Sequence, residues 1–551
     1  MTPRAPVASS AVSAEGSSAA RPAARGVARN TVIFSIATGL SRVAGLVREI
    51  VASSYFATSG AFSAFTIAFQ VPNLLRSLFA DSALSAAFVP VFTEMIERGE
   101  KREAYKLAST LFFVILAVLG LVTAIFMAGA GVIMPLFTGS KFSGHLDQLT
   151  AGLSQVLFPI VVLLALNGLL VGILNAYDHF AIPAISPLVW NVVILILLVA
   201  TKPLFHGDAQ LYAYAIGILV GTVVQLAMAA PVLARLGFRL QLRFDWRDPR
   251  VRRVLTLMVP VTLGLGIINF DLLLNSTLGS LISDHAPRAI DAAFRVYMLP
   301  QGMFSVAIAT VLFPALSRFA ARADYDGLRS LLGRGMRLVS LLLIPASAAT
   351  LALATPITRL IYQHGAFGSQ STHEVATALF WFSFSLPFSG LNLLLTRTFF
   401  SLQRPWLPTT MALGSLVVNL VVSLALYKPL GIAGPVIGTA VASAAMMLLQ
   451  ARQARIQLQG RLADRETGAA VFGMCSAAAV LGAVAWIVWA LLDQVFGRSV
   501  LGQIISVGGG LGVGAVAYAR SVLWLGIGEA QQAARFAARR VPALRGVLGV
   551  S

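Results

Sequence analysis

Stretches of about 20 apolar residues, the length that carries a helix across ~30 Å of hydrocarbon at 1.5 Å per residue, recur along this whole chain. Fourteen such spans are read: 29–56, 62–93, 107–137, 148–176, 181–201, 210–234, 254–283, 289–317, 338–361, 375–401, 406–427, 430–451, 467–492 and 499–525. Inside lipid no water can satisfy a bare backbone N–H or C=O, so each span must close its own hydrogen bonds as a helix. The predicted fold class is all-α, a polytopic membrane protein with 14 transmembrane helices. Only 11% of its 551 residues are charged and its mean hydropathy is +0.82, against roughly 25% charge in an ordinary soluble domain.

The basic residues test this count, because cytoplasmic loops carry the excess of Lys and Arg. With both termini in the cytoplasm, 31 of the 41 basic residues fall on the inner side. Six fall outside: Lys141, Lys202, Arg288, Arg359, Lys428 and Arg498. The formal charge of +19 therefore reads as an inner-membrane distribution facing membrane lipids, and no nucleic-acid partner is expected. Residues 1–28 lack an apolar core with a cleavage site and read as a flexible basic cytoplasmic tail. At the other end, 527–551 is basic and weakly amphipathic, suited to the inner leaflet.

An internal repeat divides the chain. Phe69-Gln70-Val71-Pro72 with Phe88-Val89-Pro90 resembles Tyr297-Met298-Leu299-Pro300 with Leu312-Phe313-Pro314, and Asn191 resembles Asn419. The two halves lie six spans apart and so share one orientation, and parallel repeats of this kind place a substrate site at the lobe interface. The expected organisation is an N-lobe at 29–236, a basic linker at 237–253 and a C-lobe at 254–458. Two extra helices at 459–526 lie outside the repeat.

Four basic residues remain inside spans: Arg42, Arg48, Arg76 and Arg295. No nearby carboxylate obviously neutralises all of them. A guanidinium at bilayer depth costs several kcal/mol and marks a bundle interior or substrate path, and its planar fork matches phosphate. In Ser41-Arg42-Val43-Ala44-Gly45-Leu46-Val47-Arg48-Glu49 the two arginines point about 120° apart on a helix, Gly45 permits close helix approach, and Glu49 can pair with a neighbouring helix. The alternative use of Arg48 is an interhelical salt bridge. Pro72 is expected to break the second span, with Asn73 and Arg76 just past the break and Asp81 a partner for Arg76; a simple kink is the plainer reading. Arg295 precedes Pro300, so broken helices bearing an arginine are expected at corresponding places in both lobes. Asp271 and Asn275 share a helix face and, with Asn419, Ser423 and Thr439, offer oxygens of the kind a small hard cation prefers. Ordinary interhelical hydrogen bonding accounts for the same set equally well.

Several chemistries are excluded by what is missing. The single Cys475 and six scattered histidines make neither a disulfide framework nor a zinc site. There is no Walker-type loop, and the outer loops are too short for a carboxylate cluster, so an enzyme is not expected.

These residues resemble the MurJ/MviN family of lipid II flippases, within the multidrug/oligosaccharidyl-lipid/polysaccharide exporter superfamily. The resemblance rests on Ser41-Arg42-Val43, Gly45 and Arg48-Glu49; on Val71 to Arg76 continuing through Phe79-Ala80-Asp81 to Pro90; and on Arg295 with Leu299-Pro300 and Phe313-Pro314, and it extends over all the spans. It implies a monomer in the bacterial cytoplasmic membrane, two six-helix lobes around a cationic cavity, and alternating-access movement of lipid II to the outer leaflet for cell-wall synthesis. Arg42, Arg48, Arg76 and Arg295 match the family's cavity arginines. Spans thirteen and fourteen would hold the lipid tail. Where the family has acidic residues this chain has Ser63 and Met298. A coupling-cation site is partly matched by Asp271, Asn419 and Thr439, with Ser423 where a carboxylate is expected; no cofactor is implied beyond Na+, H+ or the membrane potential. Cell-wall synthesis and division proteins are the expected partners. The rival readings are an exporter of another polyprenyl-linked glycan or a drug, an enzyme acting on the same lipid, and a non-transporting scaffold.

Overall fold

A computed structural model describes residues 16–79, 82–142, 144–460 and 465–540. Helices joined by short turns make up the fold, with no strand among the described residues. Among the described residues, ten helices are long and apolar enough to cross a membrane, and eleven if Ser369–Ser383 and Leu386–Ser401, which meet at 49°, form one bent span. The count of fourteen is thus supported for ten or eleven. Helix also occupies the remaining three spans: Gly16–Phe56 in the first, Gly60–Phe79 and Ser82–Glu97 in the second, and Pro249–Ser280 in the seventh. Arginine, asparagine, glutamine and proline dilute the hydropathy of the first two. The first helix begins at Gly16, inside the stretch whose composition reads as a flexible tail; its alanines are strong helix formers.

Packing follows the repeat. One continuous apolar core joins residues from Ala52 to Leu233 and also takes in Val251, Val254 and Met258. The start of the seventh span is therefore seated on the N-lobe, and Asp248 caps it by accepting from Arg250 N at 2.7 Å. A second core runs from Ala289 to Leu458. The helices Arg465–Phe496 and Val500–Trp524 pack on one another and on Tyr325–Ala352, forming a third cluster.

The paired asparagines each tie two helices at corresponding places in the lobes. Asn191 of the fifth span donates to Ser41 O in the first, at 3.3 Å. Asn419 of the eleventh donates to Asp271 in the seventh, at 2.5 Å.

The broken spans are less symmetric than the repeat suggests. Pro72 lies inside the helix Gly60–Phe79, which runs past it, so the expected break there does not occur. Pro300 is followed by a π-turn over Gln301–Ser305 before Val306–Ala321 resumes. Arg76 follows its proline whereas Arg295 precedes its own, so the two arginines are not repeat equivalents.

At one face hydrogen bonds join the two lobes directly. Ala366 N donates to Ser54 O at 2.8 Å, Thr58 and Ser371 share a hydroxyl hydrogen bond at 2.7 Å, and His285 Nδ1 lies 2.8 Å from Thr58 O. We call this the closed face. Toward the opposite face, Val306–Ala321 packs on Leu386–Ser401 within its own lobe, whereas Ser82–Glu97 packs both on Pro159–Ala176 and on the seventh-span helix Pro249–Ser280.

Candidate functional site

Just below the closed face, charge is buried between the lobes. Arg288, assigned from the sequence to an outer loop, is 1% exposed, and Glu49 and Asp291 are each 3% exposed. From the C-lobe, Arg288 Nη2 donates to Glu49 Oε1 and, at 2.8 Å, to Ser53 Oγ. Its Nη1 donates to Asp291 Oδ2 at 2.9 Å, and its backbone N donates to Ser63 Oγ at 3.2 Å. Phe62 lies against the guanidinium, 4.0 Å from its carbon. Arg295 Nε donates to Asp291 Oδ2 at 2.8 Å and stands 3.4 Å from Glu49 Oε1. Two carboxylates therefore serve Arg288 and Arg295, so one of the four intramembrane arginines has its acids close by. Pairing of this kind offsets the cost of burying such groups, with Arg288 Nε the one guanidinium nitrogen of that residue left without a hydrogen-bond partner.

Arg48 differs. It is 8% exposed, its guanidinium carbon is 5.0 Å from the centre of the Trp190 ring, and its Nε and Nη1 have no hydrogen-bond partner. Gln70 is 5% exposed and neither amide atom is partnered. Gln70 borders a narrow pocket with Glu49, Arg288, Asp291 and Arg295, which has room for about one water. Unfilled buried donors are costly, so they mark a place where something binds.

Arg42 is exposed, and a Cβ added at Gly302 would stand 3.8 Å from its Nη1. Exposed positions form a stripe on each of the two helices that meet there: Ile36, Leu40, Val43 and Val47 on one, Met303, Val306, Thr310 and Pro314 on the other. Gly45 allows the first span to lie against the fifth, since an added Cβ would sit 3.5 Å from Asn191 Oδ1. Arg76 is half-buried and its Nε donates to Asn73 Oδ1 at 3.0 Å; Asp81, its expected partner, lies outside the described residues.

The oxygen-rich set is also brought together. Asn419 Nδ2 faces Asp271 Oδ1, Asn275 Oδ1 at 3.4 Å and Thr439 Oγ1 at 3.4 Å. Ser423 Oγ donates to Asn419 Oδ1 at 2.8 Å, and Asn275 Nδ2 donates to Thr439 Oγ1 at 2.9 Å. As arranged, an N–H donor fills the space among these oxygens that a cation would need, and the set holds one carboxylate. No group of three or more His, Cys, Asp or Glu residues suited to a metal occurs among the described residues.

Away from this interface, an apolar groove runs between the ninth, tenth and thirteenth spans, lined by Ile344, Ala348, Phe384, Phe388, Val471 and Cys475. Arg337 at its edge is held by Glu529 of the helix Gly528–Arg540 and by Thr467.

Arg288, Asp291, Ser53 and Gln70 escape a reading of the sequence. A signal for two of them is present in it: Arg288, Asp291 and Arg295 are spaced i, i+3 and i+7, which puts them on one helix face.

Residues 52–506 match the family described as lipid II flippase MurJ. A protein named lipid II flippase MurJ from Burkholderia cenocepacia is 30% identical over 417 residues, covering 75% of this chain and 80% of that one. One named probable lipid II flippase MurJ from Vibrio cholerae serotype O1 is 28% identical over 511 residues, covering 91% and 96%. Among solved structures, lipid II flippase MurJ in an inward closed conformation aligns with a TM-score of 0.72 at 22% identity, over 89% of this chain and 100% of that one. An inward-facing multidrug resistance MATE family transporter of the MOP superfamily aligns at 0.62 with 14% identity, over 78% and 94%. The structural likenesses establish the fold.

Proposed function

Because the chain belongs to the lipid II flippase MurJ family, we propose that it moves lipid II from the cytoplasmic to the outer leaflet of the bacterial inner membrane by alternating access. The pyrophosphate is the part of that cargo that hydrocarbon refuses, and Arg42, Arg48, Arg76 and Arg295 are the groups assigned to replace its water. The observation that carries this reading is Arg48: a buried guanidinium with two unfilled donors, beside carboxylates already committed to Arg288 and Arg295. An unpaired buried charge is retained only where a counter-charge visits. A drug cation would meet the wrong sign here.

Both termini are placed in the cytoplasm by the distribution of Lys and Arg, which makes the closed face the outer one. In this orientation the cavity receives its cargo from inside, with Arg42 nearest the entrance and Arg48 and Arg295 deeper. The groove between the ninth, tenth and thirteenth spans would take the isoprenoid chain, being apolar. An anionic headgroup leaving a negatively polarised interior gains about 2.3 kcal/mol per charge at ~100 mV. We therefore place coupling with the membrane potential, and assign the Asn419 cluster to holding the C-lobe together.

Acute depletion of the protein tests the proposal. Lipid II accessible to an outer-face probe should fall within one generation and accumulate inside. Unchanged accessibility would contradict the reading.

A further inference from the structure

The charges below the closed face do more than bind. Glu49 and Ser53 come from the N-lobe, whereas Arg288, Asp291 and Arg295 come from the C-lobe, so each bond that Arg288 or Arg295 makes to Glu49 crosses the plane on which the lobes must part. Above them the crossing contacts are a few hydrogen bonds at Ser54, Thr58 and Ser63, one of them from Thr58 to the Glu374 carboxylate at 3.3 Å. We propose that Arg288 and Asp291 are the latch of the closed face, and that an anion drawing Arg295 away from Glu49 and Asp291 releases it.

The bookkeeping of charge carries this. Asp291 Oδ2 receives both Arg288 Nη1 at 2.9 Å and Arg295 Nε at 2.8 Å, and Glu49 Oε1 likewise serves Arg288 and Arg295. Each carboxylate is shared by both arginines, so the four groups form one network and no pair is independent. Arg288 is sealed, at 1% side-chain exposure, whereas Arg295 is 36% exposed. Only Arg295 can turn toward an arriving anion while keeping contact with solvent. A vacant donor for that anion borders the same pocket, on Gln70, and Arg48, next to Glu49 in the chain, carries two more.

When Arg295 leaves, Arg288 faces two buried carboxylates alone and the cluster becomes net negative. Like charge held in a dry contact between lobes is relieved by letting water in, which means parting them. The coupling is reciprocal: whatever opens the closed face also frees Arg295. The latch itself stands on geometry, whereas its release by cargo rests on the pyrophosphate reading above.

The test uses the full chain with Cys475→Ala and a single reporter, Ser371→Cys, opposite Thr58. In intact cells, a membrane-impermeant maleimide added outside reports opening of the closed face. Asp291→Asn, which preserves shape, and Arg288→Gln should each raise the labelling rate about tenfold, with Arg288→Lys falling between them and the parent. Parental rates in Asp291→Asn, with the protein monodisperse on purification, would overturn the latch even if Arg288→Gln fails to fold. The second arm uses the purified reporter protein in nanodiscs with undecaprenyl pyrophosphate. Labelling should quicken about threefold or more in the parent and stay unchanged in the already released Asp291→Asn variant. Binding of that lipid without any quickening would overturn the release step. If the lipid does not bind at all, the cargo reading fails, and the cell-labelling result decides the latch by itself.

Discussion

Asn191 and Asn419 occupy the same place in the two lobes, yet the joints they make are unlike. Asn191 ties the first span to the fifth through backbone carbonyls, of Ser41 and of its own Pro187, and its Oδ1 is left buried without a partner. Asn419 ties the seventh span to the eleventh with both ends of its amide engaged, on Asp271 and on Ser423. The difference continues along the helices they hold. The first span carries Arg42 and Arg48, while the seventh carries Asp271 and Asn275 and no arginine past Arg253. The first and seventh spans have therefore diverged on a shared joint: one presents cations, and the other closes its polar groups on themselves. A parallel repeat can bind an asymmetric cargo only if its halves diverge in this way.

Substitutions along the two joints should separate them. Asn419→Ala removes the partner of the Asp271 carboxylate and one bond each from Asn275, Thr439 and Ser423. It should cost about 4 kcal/mol, since buried groups without partners cost roughly 1–3 each and charged ones more; thermal unfolding in nanodiscs would measure it. Gly438→Ala drives a methyl into Ser423 Oγ and Asn419 Oδ1 and should cost about 2–3 kcal/mol by overpacking. Asn191→Ala removes a single shared donor and relieves an unpaired oxygen, so a loss of about 1 kcal/mol is expected. Gly45→Ala meets only ordinary contact at 3.5 Å and should fall within about 0.5 kcal/mol of the parent, helix propensity offsetting the crowding. Equal losses at Asn191 and Asn419 would remove the distinction between the joints.

Much of this architecture is legible in the sequence alone. Helical periods in lipid leave one solution per span, and the offset that pairs Pro72 with Pro300 also pairs the asparagines. Glu49 does pair with a neighbouring helix, and Gly45 is a point of close approach, as their positions in the first span suggest. Depth is what a linear string withholds. Arg288 sits next to a turn, and nothing around it says that the turn is tucked between lobes; its burial depends on Glu49, 239 residues away. Pro72 misleads for a related reason. A proline removes one hydrogen bond, but whether the helix bends or runs on depends on neighbours, and the departure from regular helix falls in the other lobe, as the π-turn after Pro300. The cation-like spacing of Asp271, Asn419, Ser423 and Thr439 locates a true cluster, whose wiring depends on which way one amide faces.

Arg48 waits for an anion that the protein itself does not supply. Affinity of the purified protein for lipid II, compared between the parent and Arg48→Gln in the same nanodiscs, measures this directly. Charged hydrogen bonds of about 1.5–3 kcal/mol predict roughly a 10- to 100-fold loss, with the unfolding temperature unchanged or raised because an unpaired buried charge has gone. Equal affinities, or a loss of affinity that merely follows a loss of stability, would show that Arg48 serves the fold and not the cargo.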